Sequence, residues 1–570
     1  MHGRVKVKTT AQQQEGKRKE REKKLKAYTG ATAIIFKKRA EKQYDQEGLK
    51  IAEEILRSNP DFYSLWNFRR EVFVSFREQR PKEELQELFM YELNFLEGCL
   101  GVNHKSYGTW HHREWVLNNM PAPDWKREVQ LCNLFLQYDE RNFHCWDFRR
   151  FVISKAKVSA QDELRFTTEK INTNFSNYSS WHYRSKLLPL LYPDQIHPDR
   201  PTEEILLQEY ELVQNAFFTD PNDQSGWFYH RWLLGRGEKQ QSLRMLHVNA
   251  DQKRLFVTFS QPVDMSRERP VTVLFNDKAV DGRWHSPSGQ DMHSLLWIFD
   301  FGSIGSLSED MSVKVEFRQG DQLQSQLSIL CSAGTSCSTV ESKDERDQSS
   351  TWFTSQLSLE KTDILEQELE SCKQLQELEE DNKWCILTVI FLMRALDPLK
   401  HATETLQYFD TLIKVDPFRK SYFEDLRSKF IMENMILENQ GNGSEVLDLS
   451  SKNLSSLYHT DHLAGVREVN LRSNRLRSLK GCSMLQALSK LNADDNVIND
   501  ITDLRCLPSL RELSLCRNDI DSLEQLHSLR DLPLLTKLHL DGNKVSSQED
   551  FLQEIQKLIP SLKEVNGQCL

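Results

Sequence analysis

A tryptophan with an arginine one helical turn further on recurs five times in the first half of the chain, at Trp66/Arg69, Trp110/Arg113, Trp146/Arg149, Trp181/Arg184 and Trp227/Arg231. The tryptophans fall 35 to 46 residues apart, and apolar residues follow each one. A unit of that length is too small to bury its own apolar face and has to stack on its neighbours. Helical hairpins are the usual unit at this period. The spacing therefore predicts a right-handed stack of helical hairpins.

Each unit opens on a turn phrase such as Ser58-Asn59-Pro60-Asp61, Gly101-Val102-Asn103 or Thr173-Asn174-Phe175-Ser176-Asn177. Asn, Asp and Ser side chains accept hydrogen bonds from the free N–H groups of a first helical turn, so these phrases mark helix starts. The phrase returns at Lys414-Val415-Asp416-Pro417, with Tyr422 in the tryptophan slot, which predicts a sixth, degenerate unit. Between the two helical stretches the pattern changes to strand alternation, as in Leu255-Phe256-Val257-Thr258-Phe259 and Val313-Lys314-Val315-Glu316-Phe317. Strands of that spacing suit an immunoglobulin-like sandwich inserted at a surface loop. Residues 332–350, rich in Ser, Thr, Asp and Glu, read as a linker.

From Glu445 onward Leu-x-Leu-x-x-Asn phrases place Asn474, Asn496, Asn518 and Asn543 at separations of 22, 22 and 25 residues. This is a leucine-rich repeat, in which each asparagine satisfies backbone groups of the neighbouring turn. Lys452 holds the same slot in an atypical first repeat. The expected fold is thus multidomain: an α-α superhelix of hairpin repeats over 1–237 and 346–441, an inserted β-sandwich over 238–345, and leucine-rich repeats over 442–570.

Charge and cysteine usage narrow the function classes. The 570 residues carry a net charge of −10, so the Lys/Arg-rich run at 17–26 reads as a solvated tail or helix start rather than a nucleic-acid arm. The chain has no run of about 18 apolar residues and no apolar amino-terminal signal, which predicts a soluble, cytoplasmic protein. Eleven cysteines without a Cys-x-x-Cys pair fit a reducing compartment and core-filling roles; Cys331 and Cys337 flank a flexible loop.

Phosphate loops, dinucleotide fingerprints, His-Glu-x-x-His and nucleophile elbows are all missing from the sequence. His111-His112 are adjacent on a helix and point in different directions, which suits packing better than a shared metal. Lys105 and Tyr107 differ in kind, because they sit in the turn ahead of a helix. Their equivalents in the third repeat are read as Asn142 and His144. A lysine, a phenol and an imidazole on adjacent turns offer a cation and hydrogen-bond donors to an anion such as a diphosphate.

The unit carried by Asn103-Lys105-Tyr107-Trp110-His111-His112-Arg113 and by Asn142-His144-Trp146-Arg149 resembles the repeat of the protein prenyltransferase α-subunit family. With the inserted sandwich and the leucine-rich repeats, the order of domains is similar to the Rab-modifying, geranylgeranyl-transferring branch of that family. The resemblance implies an enzyme subunit, active only with a β subunit that carries zinc and most of the lipid pocket. Geranylgeranyl diphosphate would be the co-substrate and a Rab GTPase, presented by a Rab escort protein, the acceptor. It also implies that Lys105, Tyr107 and His144 contact the diphosphate. Gly108 stands where relatives that read a carboxy-terminal peptide carry a polar residue, which argues against direct recognition of a peptide carboxylate. A non-catalytic scaffold of helical and leucine-rich repeats for protein–protein interaction is the alternative from another class.

Overall fold

The computed structural model describes residues 11–195, 198–235, 241–250, 252–265, 270–289, 292–302, 310–320, 322–332, 337–341, 362–439 and 445–570. They form two compact units: residues 1–216 with 223–229, and residues 217–222 with 230–570.

The first unit opens with α1 (Ala11–Ala40), on which Arg18, Lys19, Arg21, Lys23 and Lys26 of the basic run are exposed. The hairpins follow as α2 (Gln46–Ser58) with α3 (Tyr63–Gln79), α4 (Lys82–Val102) with α5 (Tyr107–Asn119), α6 (Trp125–Tyr138) with α7 (Phe143–Ala156), and α8 (Ala160–Thr173) with α9 (Tyr178–Leu191). Turn residues cap the second helix of a pair as their chemistry dictates: Ser106, Asn142 and Asn177 accept from the backbone N–H groups of Thr109, His144 and Ser180. The tryptophans brace those turns. Each buried indole N–H donates to the carbonyl six residues earlier, Trp66 to Pro60, Trp110 to His104, Trp146 to Glu140 and Trp181 to Phe175, at 2.7–2.9 Å.

The arginines form a buried ladder. Arg69 grips Glu92 of the next hairpin, Arg113 grips Glu128 at 2.7 Å, Arg149 grips Glu163 at 2.6 Å and Arg184 grips Glu209 at 2.6 Å. Each pair is bidentate, which satisfies both carboxylate oxygens and offsets part of the cost of burying two charges. None of these glutamates stands out in the sequence.

The fifth rung corrects the sequence reading. Helices α10 (Glu203–Thr219) and α11 (Gln224–Leu234) carry Trp227, but three residues on is His230 rather than Arg231. His230 is fully buried, with Nε2 2.7 Å from Glu368 Oε2, whereas the Arg231 guanidinium lies over the Phe391 ring. Glu368 belongs to α12 (Thr362–Leu378), which pairs with α13 (Lys383–Leu396), and α14 (Ala402–Val415) pairs with α15 (Lys420–Asn439). Two hairpins therefore follow the insertion where one was expected. The first is hidden because a buried Ile386 fills its tryptophan slot. In the second, Phe423 and not Tyr422 points inward: Tyr422 is 51% exposed and Phe423 3%. Seven residues separate the residue closing the first helix from the inward aromatic, as in Asn103 and Trp110, and from Asp416 that count ends on Phe423.

The sandwich consists of two antiparallel sheets. One holds β1 (Leu243–Asn249), β2 (Arg254–Asp264), β5 (Gly282–His285), β6 (His293–Phe301) and β9 (Cys337–Glu341); the other holds β3 (Val271–Phe275), β4 (Lys278–Ala279), β7 (Met311–Gln319) and β8 (Gln322–Cys331). Phe259, Phe299, Val313, Val315 and Phe317 fill the space between them. Cys331 is buried at the end of β8, and β9, paired with β1, corrects the linker expected over 332–350: residues 337–341 are strand, while 333–336 and 342–350 lie outside the described residues.

In the leucine-rich repeats six short strands, β10 (Val446–Asp448) to β15 (Glu564–Val565), run parallel in order, and β16 (Gln568–Cys569) closes the edge antiparallel. Each predicted asparagine spans two turns. Asn496 Oδ1 accepts from Leu476 N at 3.0 Å while its Nδ2 donates to Leu471 O and Ala493 O, and Asn474, Asn518 and Asn543 repeat the pattern. Asn566, whose Oδ1 accepts from Leu540 N, adds a rung the spacing did not reveal. Ile431, Met432, Ile436 and Leu437 of α15 are part of this core. Buried thiols behave as small hydrophobes: burial pushes Cys99, Cys385 and Cys482 up to about 12. Among the described residues, no helix is long and apolar enough to cross a membrane.

Candidate functional site

Because Ser106 and Asn142 are the caps of α5 and α7, and Trp110 and Trp146 each follow their cap by four residues, the register between the two repeats is fixed. It corrects the sequence alignment. Lys105 corresponds to Arg141, Tyr107 to Phe143, and His144 to Gly108. Asn142 is instead the counterpart of Ser106, and its Nδ2 donates to His104 O at 2.8 Å, which ties the two turns together.

The structure brings Tyr107 and His144 into contact: the rings meet edge-on with centroids 4.1 Å apart. Tyr107 is 59% exposed, whereas His144 is buried and also packs on Phe143. Burial lowers the His144 pKa, and the positive charge of Lys105 lowers it further against the opposing pull of Asp147. The imidazole is therefore neutral at physiological pH, holding one donor and one acceptor. Lys105, at the turn before α5, is exposed and reaches to Asp139, with Nζ 3.3 Å from Oδ2; His104 Nε2 lies 3.3 Å from the same oxygen. All three predicted residues thus occupy the adjoining starts of α5 and α7. Both helix starts present the positive end of a helix dipole, a setting that favours an anion.

Beside Tyr107 is a cleft of about 430 Å³ lined by Tyr63, Trp66, Arg70, Tyr107, Gly108 and His111. Gly108 is there for space. A Cβ on it would lie 2.8 Å from Cδ1 of Trp66, which is fully buried and unable to withdraw. The histidine pair divides as its adjacency requires. His111 is exposed and lies 2.9 Å from an Arg70 guanidinium nitrogen, while His112 is buried with Nε2 2.9 Å from Glu92.

An ammonium, a phenol and one buried imidazole do not make a zinc site, which needs three or four thiolate, imidazole or carboxylate donors. Among the described residues, the group whose donor atoms lie within metal-binding reach of one another is His459, Asp461 and His462, in the second unit. Arg244 contacts the His462 imidazole and Glu433 that of His459, so these donors already belong to an ion network.

Two features escaped the sequence reading. Asp139 is the first. The second is a row of exposed aromatics, Tyr63, Tyr107, Phe143 and Tyr178, each 51–59% exposed and each three residues before its tryptophan. That offset is visible in the sequence of the first four copies; the fifth has Gln224 in the slot.

The family model for the protein prenyltransferase alpha subunit repeat matches residues 45–76, 89–120, 125–156, 160–191 and 206–237. The model for the Rab geranylgeranyl transferase alpha-subunit insert domain matches residues 243–355. The geranylgeranyl transferase type-2 subunit alpha of Homo sapiens is 47% identical over 571 residues, covering 99% of this chain and 100% of that protein. The protein of the same name from Dictyostelium discoideum is 42% identical over 237 residues, covering 41% of this chain and 75% of its own length. Among solved structures, the Candida albicans protein geranylgeranyltransferase-I complexed with GGPP aligns with a TM-score of 0.39 at 15% identity, over 71% of this chain and 90% of that one. Full-length identity at this level, together with both family models, makes the chain a member of the geranylgeranyl transferase type-2 α-subunit family.

Proposed function

We propose that this chain is the α subunit of a heterodimeric enzyme that transfers geranylgeranyl from geranylgeranyl diphosphate to carboxy-terminal cysteines of Rab GTPases presented by an escort protein. The observation that carries the reading is the contact of Tyr107 with His144 at the adjoining starts of α5 and α7, with Lys105 in the turn just before α5. A pure scaffold gives these side chains no reason to gather there. The row of exposed aromatics over four consecutive repeats supports a partner subunit on the same face, since single exposed aromatics are common but an aligned series is not. Zinc, which the donor set of this site does not fit, is assigned to that β subunit.

Prenyl transfer breaks the bond between C1 and the diphosphate oxygen while the acceptor sulfur bonds to C1, so negative charge accumulates on the departing diphosphate. Lys105 supplies the opposing charge, and the Tyr107 hydroxyl supplies a hydrogen bond. Neutral His144 fixes the Tyr107 ring without adding charge. An interaction that strengthens as the bond breaks lowers the barrier more than it tightens binding. Lys105→Ala in the heterodimer is expected to reduce the single-turnover rate of labelled geranylgeranyl transfer by roughly 10²–10³, about 3–4 kcal/mol, with a far smaller change in diphosphate affinity. An unchanged single-turnover rate refutes the assignment.

A further inference from the structure

Neighbouring turns of the stack are joined by a recurring side-chain contact whose polarity reverses between the second and third turns, as it does again at Asp416, which receives Lys383 at 3.2 Å. Between the first and second turns the amide Nδ2 of Asn103 donates to Asp61 at 2.9 Å, and between the third and fourth that of Asn174 donates to Glu140 at 2.8 Å. Between the second and third the corresponding residue is Asp139. It cannot donate, and it receives Lys105 and His104 instead. The local turn does not need this charge. Asn103 Oδ1 accepts from the backbone N–H two residues on at 3.1 Å and Asn174 Oδ1 does so at 3.0 Å, as Asp139 Oδ1 does from Arg141 N at 3.3 Å. An amide there builds the same turn.

We propose that Asp139 is the positioning residue for Lys105, a role that rests on the reading of Lys105 given above. A lysine on an exposed turn has a flexible four-carbon stem and would spread its ammonium over many rotamers. The half-buried carboxylate one turn along fixes that ammonium beside the start of α7 before any diphosphate arrives. A preorganised cation avoids reorganisation when charge develops on the leaving group. The carboxylate does not tighten diphosphate binding, since it repels the anion; what it contributes is the placement of the ammonium. His104 shares Oδ2 and holds the carboxylate in place from the same turn.

The test compares Asp139→Asn, Asp139→Glu, Lys105→Ala and the Asp139→Asn/Lys105→Ala double variant in the intact heterodimer, with kcat, KM for geranylgeranyl diphosphate and melting temperature measured for each. Asp139→Asn is expected to lower kcat roughly tenfold while KM stays level or falls, with the melting temperature unchanged because the turn accepts an amide. Asp139→Glu restores part of the loss. In the Lys105→Ala background Asp139→Asn has no further effect on kcat. A tenfold loss persisting in that background overturns the positioning role, as does a wild-type kcat for Asp139→Asn when Lys105→Ala is impaired. A wild-type kcat for Lys105→Ala sinks the Lys105 assignment itself, and the positioning role falls with it.

Discussion

The rung between Arg113 and Glu128 gives the stack its sharpest stability test. Both side chains are inaccessible to solvent, at 0% and 1% exposure, and the guanidinium makes two 2.7 Å contacts to the carboxylate plus a 2.9 Å bond to the Leu93 carbonyl. Glu128→Leu leaves the guanidinium buried with its main counterion gone, and breaking one partner of such a pair costs about 3–5 kcal/mol. For a unit of this size each kcal/mol moves Tm by about 2–4 °C, so the variant should melt roughly 6–20 °C lower. Arg113→Met combined with Glu128→Leu replaces both charges by apolar groups of similar volume, and most of the loss should return, because the desolvation cost disappears together with the attraction. Differential scanning calorimetry of the wild type, the single variant and the double variant measures this. A single variant losing under about 1 kcal/mol, or a double variant as unstable as the single, would refute the claim that the pair stabilises by compensation rather than by net attraction.

Gly108→Ala should destabilise rather than stabilise, although alanine is the better helix former by about 1 kcal/mol, because the new methyl meets the Trp66 ring at 2.8 Å and overpacking costs about 1–3 kcal/mol; a raised Tm counts against that packing. The acid limb of stability should carry the imprint of Glu92. Burial alone would push its carboxyl up, but Arg69 and His112 outweigh burial and hold it at about 2 against an ordinary 4.5. Its contribution, on the order of 3 kcal/mol, is full above about pH 4.5 and disappears as pH falls toward 2. Urea midpoints followed from pH 7 to pH 3 should fall less steeply in Glu92→Gln, and an identical slope would show that Glu92 does not drive the acid transition.

Legibility in the sequence followed the constancy of spacing. In four of the five copies tryptophan and arginine keep one offset inside a helix, and the repeat asparagines are tied by the strand register, so both periods show in one chain. The glutamates opposite the arginines do not, because Arg-to-Glu separations of 23, 15, 14 and 25 residues absorb the varying turn lengths between hairpins. The hairpin α12/α13 was invisible for another reason: an isoleucine fills the tryptophan slot and buries equally well without its signature. At the site, Lys105 and Tyr107 stood out only by comparison with sister repeats. His144 came from an alignment one residue out of register and from the family resemblance, and its contact with Tyr107 needed the correct register. Asp139 was beyond reach, since a reversed donor and acceptor become visible only when both turns are in place.

The insertion shows why such a stack tolerates interruption. The sandwich enters between His230 and Glu368, which are 138 residues apart and yet complete one rung at 2.7 Å. The closure entropy of the added chain grows only with the logarithm of its length, about 0.6 kcal/mol for each doubling, so a folded module in the connection costs the rung little. What the rung must preserve is local. Asn382 still caps α13 by accepting from Trp384 N and Cys385 N, and its Nδ2 still reaches back to the turn before, to Pro221 O at 2.7 Å, as Asn142 reaches His104 O. Trp384 and Cys385 thus begin the helix as His144 and Cys145 begin α7, and Cys385 Sγ contacts Cys372 O as Cys145 Sγ contacts Cys132 O. Hairpin α12/α13 keeps the local register because each hairpin reads only the turn before it, and the same locality let Lys105 and Asp139 reverse one contact between two turns.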